Sequence, residues 1–358
     1  MRILILANSD IGLYKFRKEI IEAMISRNNE VYISLPYGDL VGPLSESGCT
    51  FIDTKVDRRG VNPKNDIKLL NQYKSIIRNV NPDYVITYTI KPNIYGSIAA
   101  RWANKAYAVN ITGLGTAFEH KGLVRSIVVL LYKYALKNAK VVFFENSGDR
   151  AEFLSYNCCK KEQTHVLNGA GVNTNTFSYI PYPSNDIFHF LFVGRVMKEK
   201  GIGELFDAMK RLVKETKCLL DVVGPFEEDY KEEIERYEEE GWLKYHGYQE
   251  DVRPFIAQCD CFVLPSYHEG MANTNLESAS SGRPIITTNI PGCKEAVVDG
   301  ISGYLCEPQN ADSLYRAMKD MLNNDNRESM GKEGRQLMET RFKKERIVEE
   351  TLQGLAID

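Results

Sequence analysis

The sequence predicts an α/β protein made of two doubly wound domains, each with a parallel sheet. Short apolar runs of strand length alternate with helical patterns, which is typical of parallel sheets covered by helices. The same alternation starts again near residue 187, so the two halves of the chain resemble each other. At 358 residues the chain is too long for one typical domain and of ordinary length for two.

The first half contains six strand-like runs, each short and apolar as buried parallel strands are. They cover residues 3–7, 31–35, 51–52, 84–88, 106–111 and 141–144. Helical patterns separate them, for example at residues 67–80 and 94–103. After the first strand, one helical face carries Phe16, Ile20, Ile21 and Met24.

The second half repeats this organisation with a helix at 202–213. Its predicted strands cover residues 187–193, 219–223, 243–245, 261–264 and 284–287. The proline-rich segment 179–186 is expected to be the linker between the domains or a loop just after it. The tail 312–355 is helical, with expected breaks at Gly331 and Gly334. We expect a first domain at 1–167, a second at 168–341 and a last helix at 342–358.

The composition is that of an ordinary soluble globular protein, with 43% hydrophobic and 26% charged residues. The net charge of −3 provides no field that would favour nucleic acid. None of the eight cysteines forms a Cys-x-x-Cys pair, and we expect reduced thiols in a cytoplasmic protein. The apolar start is too short for a signal peptide, and no apolar run is long enough to span a membrane.

The most informative stretch is residues 265–277, which follows a predicted strand. Gly270 permits a turn, and a helix can begin at Asn273. A strand, a glycine turn and a helix N-terminus can bind anions, because free backbone N–H groups point at the ligand. Glu269 and Glu277 add carboxylates that can bind hydroxyls, so a sugar nucleotide would suit this site. The alternative is an ordinary turn with solvated glutamates.

A cationic motif follows the first strand of the second half. Gly194 ends that strand, Arg195 and Lys200 follow it, and Gly201 opens a helix. Two cations suit a diphosphate, because Arg binds it with a planar fork and Lys acts as a point charge. A solvated basic loop is the alternative, since most Lys and Arg side chains are exposed.

Together these motifs resemble those of the retaining glycosyltransferases of family 4, which have the GT-B fold. Glu269 and Glu277 match the family's Glu-x7-Glu signature, and Arg195 and Lys200 match its Gly-Arg-x4-Lys-Gly motif. The resemblance implies two Rossmann-like domains that face each other across a deep cleft. It also implies a last helix that can cross back to the first domain, and an inter-domain turn at 168–173.

The resemblance implies a role for each motif residue. Glu269 would approach the donor sugar, and Glu277 would bind the ribose. Arg195 and Lys200 would hold the pyrophosphate and stabilise the departing nucleotide. The other donor-binding residues would be Gly194, Tyr248 near the base, Gly270, Met271, Ala272, Asn273 and Thr274. Met271 and Ala272 depart from the family, which commonly has Phe-Gly or Phe-Pro there.

The acceptor side would lie in the first half. There a glycine-rich segment follows the strand 106–111, with Gly113 and Gly115 in it and Glu119 at its end. His120 is the candidate catalytic histidine, and a lone surface histidine is the alternative. In the first loop the family often has Gly-Gly, whereas this chain has only Gly12.

By this resemblance the protein is a retaining enzyme that transfers an N-acetylhexosamine or a hexuronic acid from a nucleotide-sugar, with UDP as the expected nucleotide. The acceptor would be a glycan or a polyprenyl-diphosphate-linked glycan of bacterial capsule or O-antigen synthesis, at the cytoplasmic face of the inner membrane. No Asp-x-Asp pair occurs, so we expect neither metal nor cofactor. The alternatives are a UDP-sugar epimerase or another enzyme of this fold, and a non-catalytic, transferase-like sugar-binding subunit.

Residues 121–137 predict an apolar helix with basic flanks. One face would carry Val124, Ile127, Val128, Leu131 and Tyr134. The basic residues are Lys121, Arg125, Lys133, Lys137 and Lys140. The ordinary interpretation is that this face packs on the sheet. The alternative is peripheral contact with an anionic bilayer.

Overall fold

In the computed structural model, which describes residues 1–57, 62–115, 118 and 122–357, the chain divides into two compact units. The first unit contains Met1–Ala170 and Glu345–Asp358, and the second contains Gly171–Lys344. The chain thus crosses between units after residues 170 and 344, where the sequence predicted 167 and 341. The first crossing falls between Gly169 and Gly171, which both have positive φ angles.

The first unit is built on a seven-stranded parallel sheet. Its strands are β1 (Arg2–Leu6), β2 (Glu30–Leu35), β3 (Thr50–Asp53), β4 (Tyr84–Tyr88), β5 (Ala106–Ile111), β6 (Val141–Phe144) and β7 (Thr164–Val166). They lie in the order β3-β2-β1-β4-β5-β6-β7. The order therefore reverses direction between β1 and β4, which is the arrangement of a doubly wound sheet.

The second unit has a six-stranded parallel sheet of the same type. Its strands are β8 (Phe188–Val193), β9 (Cys218–Val223), β10 (Leu243–Tyr245), β11 (Cys261–Leu264), β12 (Ile285–Thr288) and β13 (Gly303–Cys306). They lie in the order β10-β9-β8-β11-β12-β13, so the direction reverses between β8 and β11. The predicted fold class, two Rossmann-like domains with parallel sheets, is confirmed.

Helices connect the strands in both units. Those of the first unit are Asp10–Ser26, Val41–Glu46, Pro63–Val80, Ser97–Trp102, Leu123–Leu136 and Ser147–Ser155, and the last helix of the chain, Lys344–Leu355, joins them. Those of the second unit are Ile202–Leu212, Lys231–Glu239, Arg253–Gln258, Asn273–Ser280, Ala311–Leu322 and Arg327–Leu337. Several begin at a side-chain cap: Ser9, Asn62, Asn146 and Asn310 each accept a first-turn N–H.

Each unit has its own hydrophobic core. In the second unit one cluster surrounds the sheet and includes Phe190, Phe192 and Phe262. In the first unit a separate cluster covers each face of the sheet. Leu352 and Leu355 of the last helix belong to one of these clusters, together with Ile3 and Ile5 of β1. The end of the chain is therefore part of the first unit's core.

The segment 179–186 and the helix around Gly331 and Gly334 can each be compared with their sequence predictions. The segment 179–186 lies in the second unit, just after the crossing, so it is the loop and not the linker itself. The buried Arg283 holds it by donating to the carbonyl oxygens of Ile180 and Pro181 at 3.0 and 3.1 Å. The predicted helix breaks at Gly331 and Gly334 are wrong, because both residues lie within Arg327–Leu337. A Cβ at Gly331 would lie 2.0 Å from a backbone oxygen of Gly282, so glycine permits close packing there.

The prediction of how residues 121–137 pack is also wrong. In the helix Leu123–Leu136 the buried residues are Val129, Tyr132, Ala135 and Leu136. Val128 and Leu131 are half-buried against the same core, whereas Val124, Ile127 and Tyr134 are exposed. The helix is apolar on both sides, so its pattern could not show which side is buried. Among the described residues, no helix has the length and apolar character needed to cross a membrane.

Candidate active site

Two of the sequence motifs meet where the second sheet reverses direction. β8 ends at Val193 and is followed by Gly194, Arg195 and the single turn Lys198–Lys200. The neighbouring strand β11 ends at Leu264 and is followed by the turn that contains Glu269. In doubly wound sheets, ligands bind outside the carboxyl ends of the strands, where the strand order reverses. The topology therefore brings the cationic motif and the first glutamate to one edge.

Lys200 and Glu269 form a direct ion pair. The Lys200 ammonium donates to Oε1 of Glu269, and both side chains are mostly buried. The same Oε1 accepts a hydrogen bond from the Ser266 hydroxyl at 2.7 Å. Low exposure strengthens both interactions, so the carboxylate and the ammonium are held in fixed positions. The sequence assigned these two residues to different parts of a ligand and did not predict the pairing.

Close backbone packing holds the two turns together. The N–H of Tyr267 donates to the carbonyl oxygen of Glu199 at 2.9 Å. Gly201 has a φ of 71°, and a Cβ there would lie 2.1 Å from the carbonyl oxygen of Pro265. Only glycine can adopt this φ and also leave room for the Pro265 carbonyl oxygen. The glycine that follows Lys200 thus sets the distance between the two motifs.

Arg195 occupies a more open position on the same edge. Its guanidinium lies 3.5 Å from a carboxylate oxygen of Glu227, and 44% of its side chain is exposed. The preceding Gly194 donates its N–H to Val223 at the end of β9. The structure therefore places a second, solvent-accessible cation on the strand-end edge that carries the Lys200–Glu269 pair.

The helix Asn273–Ser280 begins next to this pair and carries Glu277. Met271 and Ala272, just before it, have their side chains in the hydrophobic core, and Thr274 is half-buried. The Ala272 N–H donates to the carbonyl oxygen of Gly292 at 2.8 Å. Within the described part of the chain, Oδ1 of Asn273 is buried without a hydrogen-bond partner. A polar ligand at the helix start could supply that partner.

The loop after β12 packs against the turn that contains Glu269. Gly292 has a φ of 86°, and a Cβ there would lie 2.4 Å from the carbonyl oxygen of Glu269. Its N–H donates to the Glu295 carboxylate at 2.8 Å, so Glu295 acts as a turn cap. The next residue, Cys293, is fully buried, and burial together with the Glu269 charge raises the pKa of its thiol. Cys293 is therefore a neutral packing residue beneath the ion pair.

Tyr248 lies beyond β10, on the same side of the reversal point as β9. The carbonyl oxygen of the preceding Gly247 accepts the N–H of Gly224 at 2.8 Å, which anchors this turn to the end of β9. Tyr248 is 58% exposed. Its contact with a nucleotide base stays a prediction.

In the first unit the structure describes part of the predicted acceptor side. Gly12 lies in the first turn of the helix Asp10–Ser26, and its N–H is bound by the Ser9 cap. Gly113 and Gly115 follow β5 with φ angles of 116° and 69°. Glu119 and His120 lie outside the described residues, so the catalytic assignment of His120 stays a prediction.

Sequence reasoning missed a buried ion pair in the first unit. Arg17 donates to the Glu145 carboxylate, and its guanidinium lies 5.1 Å from the centre of the Tyr88 ring. Tyr88 ends β4 and Glu145 follows β6, so the group lies at the carboxyl edge of the first sheet. Burial raises the pKa of the Tyr88 hydroxyl. No local signal joins residues 17 and 145, which only the fold brings together.

Within the described ranges, no group of three or more His, Cys, Asp or Glu side chains is arranged to hold a metal ion. All eight cysteines are free, and only Cys159 is not buried. Burial raises the pKa of the Cys159 thiol to about 11, so it is protonated at neutral pH.

Comparisons with known proteins identify the class. Residues 183–337 match the family of glycosyl transferases group 1, and residues 2–146 match the family described as glycosyl transferase 4-like. The chain belongs to these glycosyltransferases, and the predicted family is confirmed. The relatives are named as transferases, which favours transfer over the epimerase and the non-catalytic alternatives.

Two curated relatives cover most of the chain. One is the N,N'-diacetylbacillosaminyl-diphospho-undecaprenol alpha-1,3-N-acetylgalactosaminyltransferase of Campylobacter jejuni, which is 27% identical over 90% of this chain and 89% of its own. Another is the capsular polysaccharide biosynthesis glycosyltransferase CapM of Staphylococcus aureus, which is 26% identical over 80% of this chain and 81% of its own.

Solved structures share the fold along the whole chain. Anabaena Alr3699/HepE in complex with UDP and glucose has a TM-score of 0.82 and 18% identity, with 99% of both chains covered. Sucrose-phosphate synthase from Thermosynechococcus elongatus has a TM-score of 0.83 and 18% identity, with 99% of this chain and 98% of that chain covered. At this level of identity the likeness establishes the fold.

Proposed function

We propose that this glycosyltransferase transfers a sugar from a UDP-sugar to a glycan or polyprenyl-diphosphate-linked acceptor, with retention of anomeric configuration and without a metal. Its place would be the cytoplasmic face of the membrane, in the synthesis of a bacterial surface polysaccharide. The observation that carries this proposal is the Lys200–Glu269 pair at the reversal point of the second sheet, with Arg195 on the same strand-end edge.

The chemistry follows from the charges of that edge. The bond between the anomeric carbon and the diphosphate oxygen breaks, and negative charge grows on the leaving phosphate. Arg195 and Lys200 stabilise that charge, which lowers the barrier because the cations are in place before reaction. The acceptor hydroxyl forms the new C–O bond on the same face, and its proton passes to the departing diphosphate. Glu269, held by Ser266 and Lys200, orients the sugar.

The relatives support the choice of substrates. The Campylobacter jejuni relative is named for an acceptor on undecaprenol diphosphate, and the Staphylococcus aureus relative for capsular polysaccharide. The Anabaena structure was solved with UDP and with UDP-glucose. A glycan on a polyprenyl diphosphate would be available at the cytoplasmic surface of the membrane, which gives the proposed location.

A donor screen tests the proposal. Release of the nucleoside diphosphate is measured for a panel of UDP-, GDP- and ADP-sugars, with and without short-chain polyprenyl-diphosphate-linked glycans. We expect acceptor-dependent release from a UDP-sugar, and a product whose anomeric coupling in NMR matches that of the donor. An inverted product, or a marked preference for a GDP- or ADP-sugar, would contradict the proposal.

Chelation tests the absence of a metal. Because Arg195 and Lys200 supply the positive charge for the diphosphate, we expect the rate to stay within about twofold after treatment with EDTA. The matched control is a metal-dependent transferase assayed in the same buffer. Loss of activity with EDTA and its recovery with Mn²⁺ would show that a metal carries the role assigned here to the two cations.

A further inference from the structure

The helix Leu123–Leu136 has large hydrophobic residues on its solvent side as well as on its core side. On the exposed side they occupy successive turns, with exposures from 44% to 77%: Leu123, Val124, Ile127, Leu130 and Tyr134. The solvent side of a surface helix is normally polar. At 14 residues, about 21 Å, this helix offers an apolar stripe of considerable length.

Trp102 extends the stripe from the neighbouring helix Ser97–Trp102. Its indole Nε1 donates to the Tyr134 hydroxyl at 3.1 Å, and 52% of the residue is exposed. Trp and Tyr combine an apolar ring with a polar tip, and both are enriched where a membrane meets water. We call the surface formed by Trp102, Leu123, Val124, Ile127, Leu130 and Tyr134 the apolar patch.

Basic side chains border the apolar patch. The Lys74 ammonium lies 5.2 Å from the Trp102 ring, and the Arg101 guanidinium lies 4.4 Å from the Tyr134 ring. Between Gly122 and Phe144 the chain has no acidic residue and four basic ones: Arg125, Lys133, Lys137 and Lys140. The whole chain has a net charge of −3, so this local excess of positive charge favours an anionic partner.

We infer that the apolar patch docks on an anionic lipid bilayer. Its apolar side chains would enter the boundary between headgroups and acyl chains, and the surrounding basic side chains would contact lipid phosphates. The inference deepens the proposed function and rests on it, because a lipid-linked acceptor is presented at a bilayer surface. A symmetric contact with a second copy would instead place the same basic side chains against each other.

Sedimentation with vesicles tests the docking. The full chain is mixed with vesicles of phosphatidylglycerol and phosphatidylethanolamine, or of phosphatidylcholine alone, at low and high salt. We expect sedimentation with the anionic vesicles that weakens as salt increases. Each basic residue near an anionic surface raises partitioning about fivefold, so loss of two lowers it about 25-fold. The charge variant is therefore Lys133→Gln with Lys137→Gln, and the apolar variant is Ile127→Ser with Leu130→Ser.

Matched variants in the second unit serve as controls. Val298 and Ile301 are exposed apolar residues there, and Lys231 and Lys332 are exposed lysines. The same substitutions at these positions should leave sedimentation unchanged. Melting temperatures should be unaltered in all variants, because every substituted side chain is exposed. An unmodified protein that fails to sediment with anionic vesicles would overturn the inference, as would a dimer in solution that the apolar variant dissociates.

The docking and the proposed function can fail separately. Transfer to a short-chain, water-soluble acceptor should be the same in the unmodified protein and in the apolar variant. Transfer to a long-chain acceptor embedded in anionic vesicles should decrease in that variant about as much as sedimentation does. Vesicle binding without any transfer would contradict the proposed function, whereas transfer to both acceptors without vesicle binding would contradict the docking.

Discussion

Lys200 and Arg195 carry the same charge in different surroundings. Lys200 is mostly buried against Glu269, whereas Arg195 is half-exposed and 3.5 Å from Glu227. Removal of one partner from a buried ion pair leaves a charge that is poorly solvated, and this destabilises the fold. Removal of an exposed charge has little such effect. Replacement of Lys200 should therefore destabilise the protein more than replacement of Arg195, even if both side chains stabilise the leaving group.

We predict that Arg195→Ala and Lys200→Ala each reduce kcat about a hundredfold, the effect of losing one preorganised donor at a developing charge. Lys200→Ala should also lower the melting temperature, and Arg195→Ala should not. Lys198, exposed in the same turn, provides the control variant Lys198→Ala, with unchanged kcat. Steady-state kinetics and thermal unfolding give both quantities. Near-normal kcat in both variants would show that the phosphate site is elsewhere.

The two glutamates allow a second prediction. Glu269 is fixed beside Lys200, and Glu277 lies on the helix Asn273–Ser280. If Glu277 binds the ribose, Glu277→Gln should weaken UDP binding about tenfold, the loss of one charge-assisted hydrogen bond. Glu269→Gln should leave UDP binding nearly unchanged and reduce kcat. Calorimetric titration with UDP separates the two, and the reverse pattern would exchange their roles.

At the scale of single residues, the sequence indicated which side chains form the candidate site but not which of them form ion pairs. The spacing of Arg195 and Lys200, and of Glu269 and Glu277, resembles a known motif, which is local information. The contact between Lys200 and Glu269 spans 69 residues and depends on the neighbouring positions of β8 and β11. The Arg17–Glu145 pair spans 128 residues and has no local signal at all.

At the scale of elements, the interior strands were predictable because burial on both faces makes them continuously apolar. The edge strands Thr164–Val166 and Gly303–Cys306 were missed, since each is short and only partly buried. The packing of Leu123–Leu136 was predicted wrongly for a related reason. A helix that is apolar on two sides has no polar face to mark the solvent.

The loop after β12 provides a prediction about an element. Gly292 and Gly300 both have positive φ, at 86° and 73°, so alanine strains either position by about 1–2 kcal/mol. Only at Gly292 does a Cβ meet the Glu269 backbone, whereas the space around Gly300 is open. Gly292→Ala should therefore lower kcat at least tenfold, because a shift of about 1 Å at the reacting centre has effects of this size or larger. Gly300→Ala should lower only the melting temperature. Equal kcat in the two variants would mean that the position of Glu269 is not important.

At the scale of the molecule, the chain leaves the first unit after Ala170 and returns to it at Glu345. The inter-domain turn at 168–173 was expected from the family resemblance, and Gly169 and Gly171 within it adopt positive φ. The return of the last helix followed from the family resemblance and not from local pattern. An amphipathic helix shows that it packs, but its sequence does not show on which core.

The last prediction concerns this discontinuous first unit. Leu352 belongs to the last helix of the chain and is fully buried. It lies in the same core cluster as Ile3 and Ile5 of the first strand. Leu352→Ala should lower the free energy of unfolding of the first unit by about 2–5 kcal/mol, as cavity-forming substitutions do. Leu314→Ala is the matched variant, because Leu314 is equally buried in the core of the second unit. Hydrogen exchange should show faster exchange within 1–170 for Leu352→Ala, with UDP affinity unchanged, and faster exchange within 171–344 for Leu314→Ala. If Leu352→Ala instead accelerated exchange equally throughout both ranges, the two units would unfold together as one cooperative unit. The separate cores would then not correspond to separate units of unfolding.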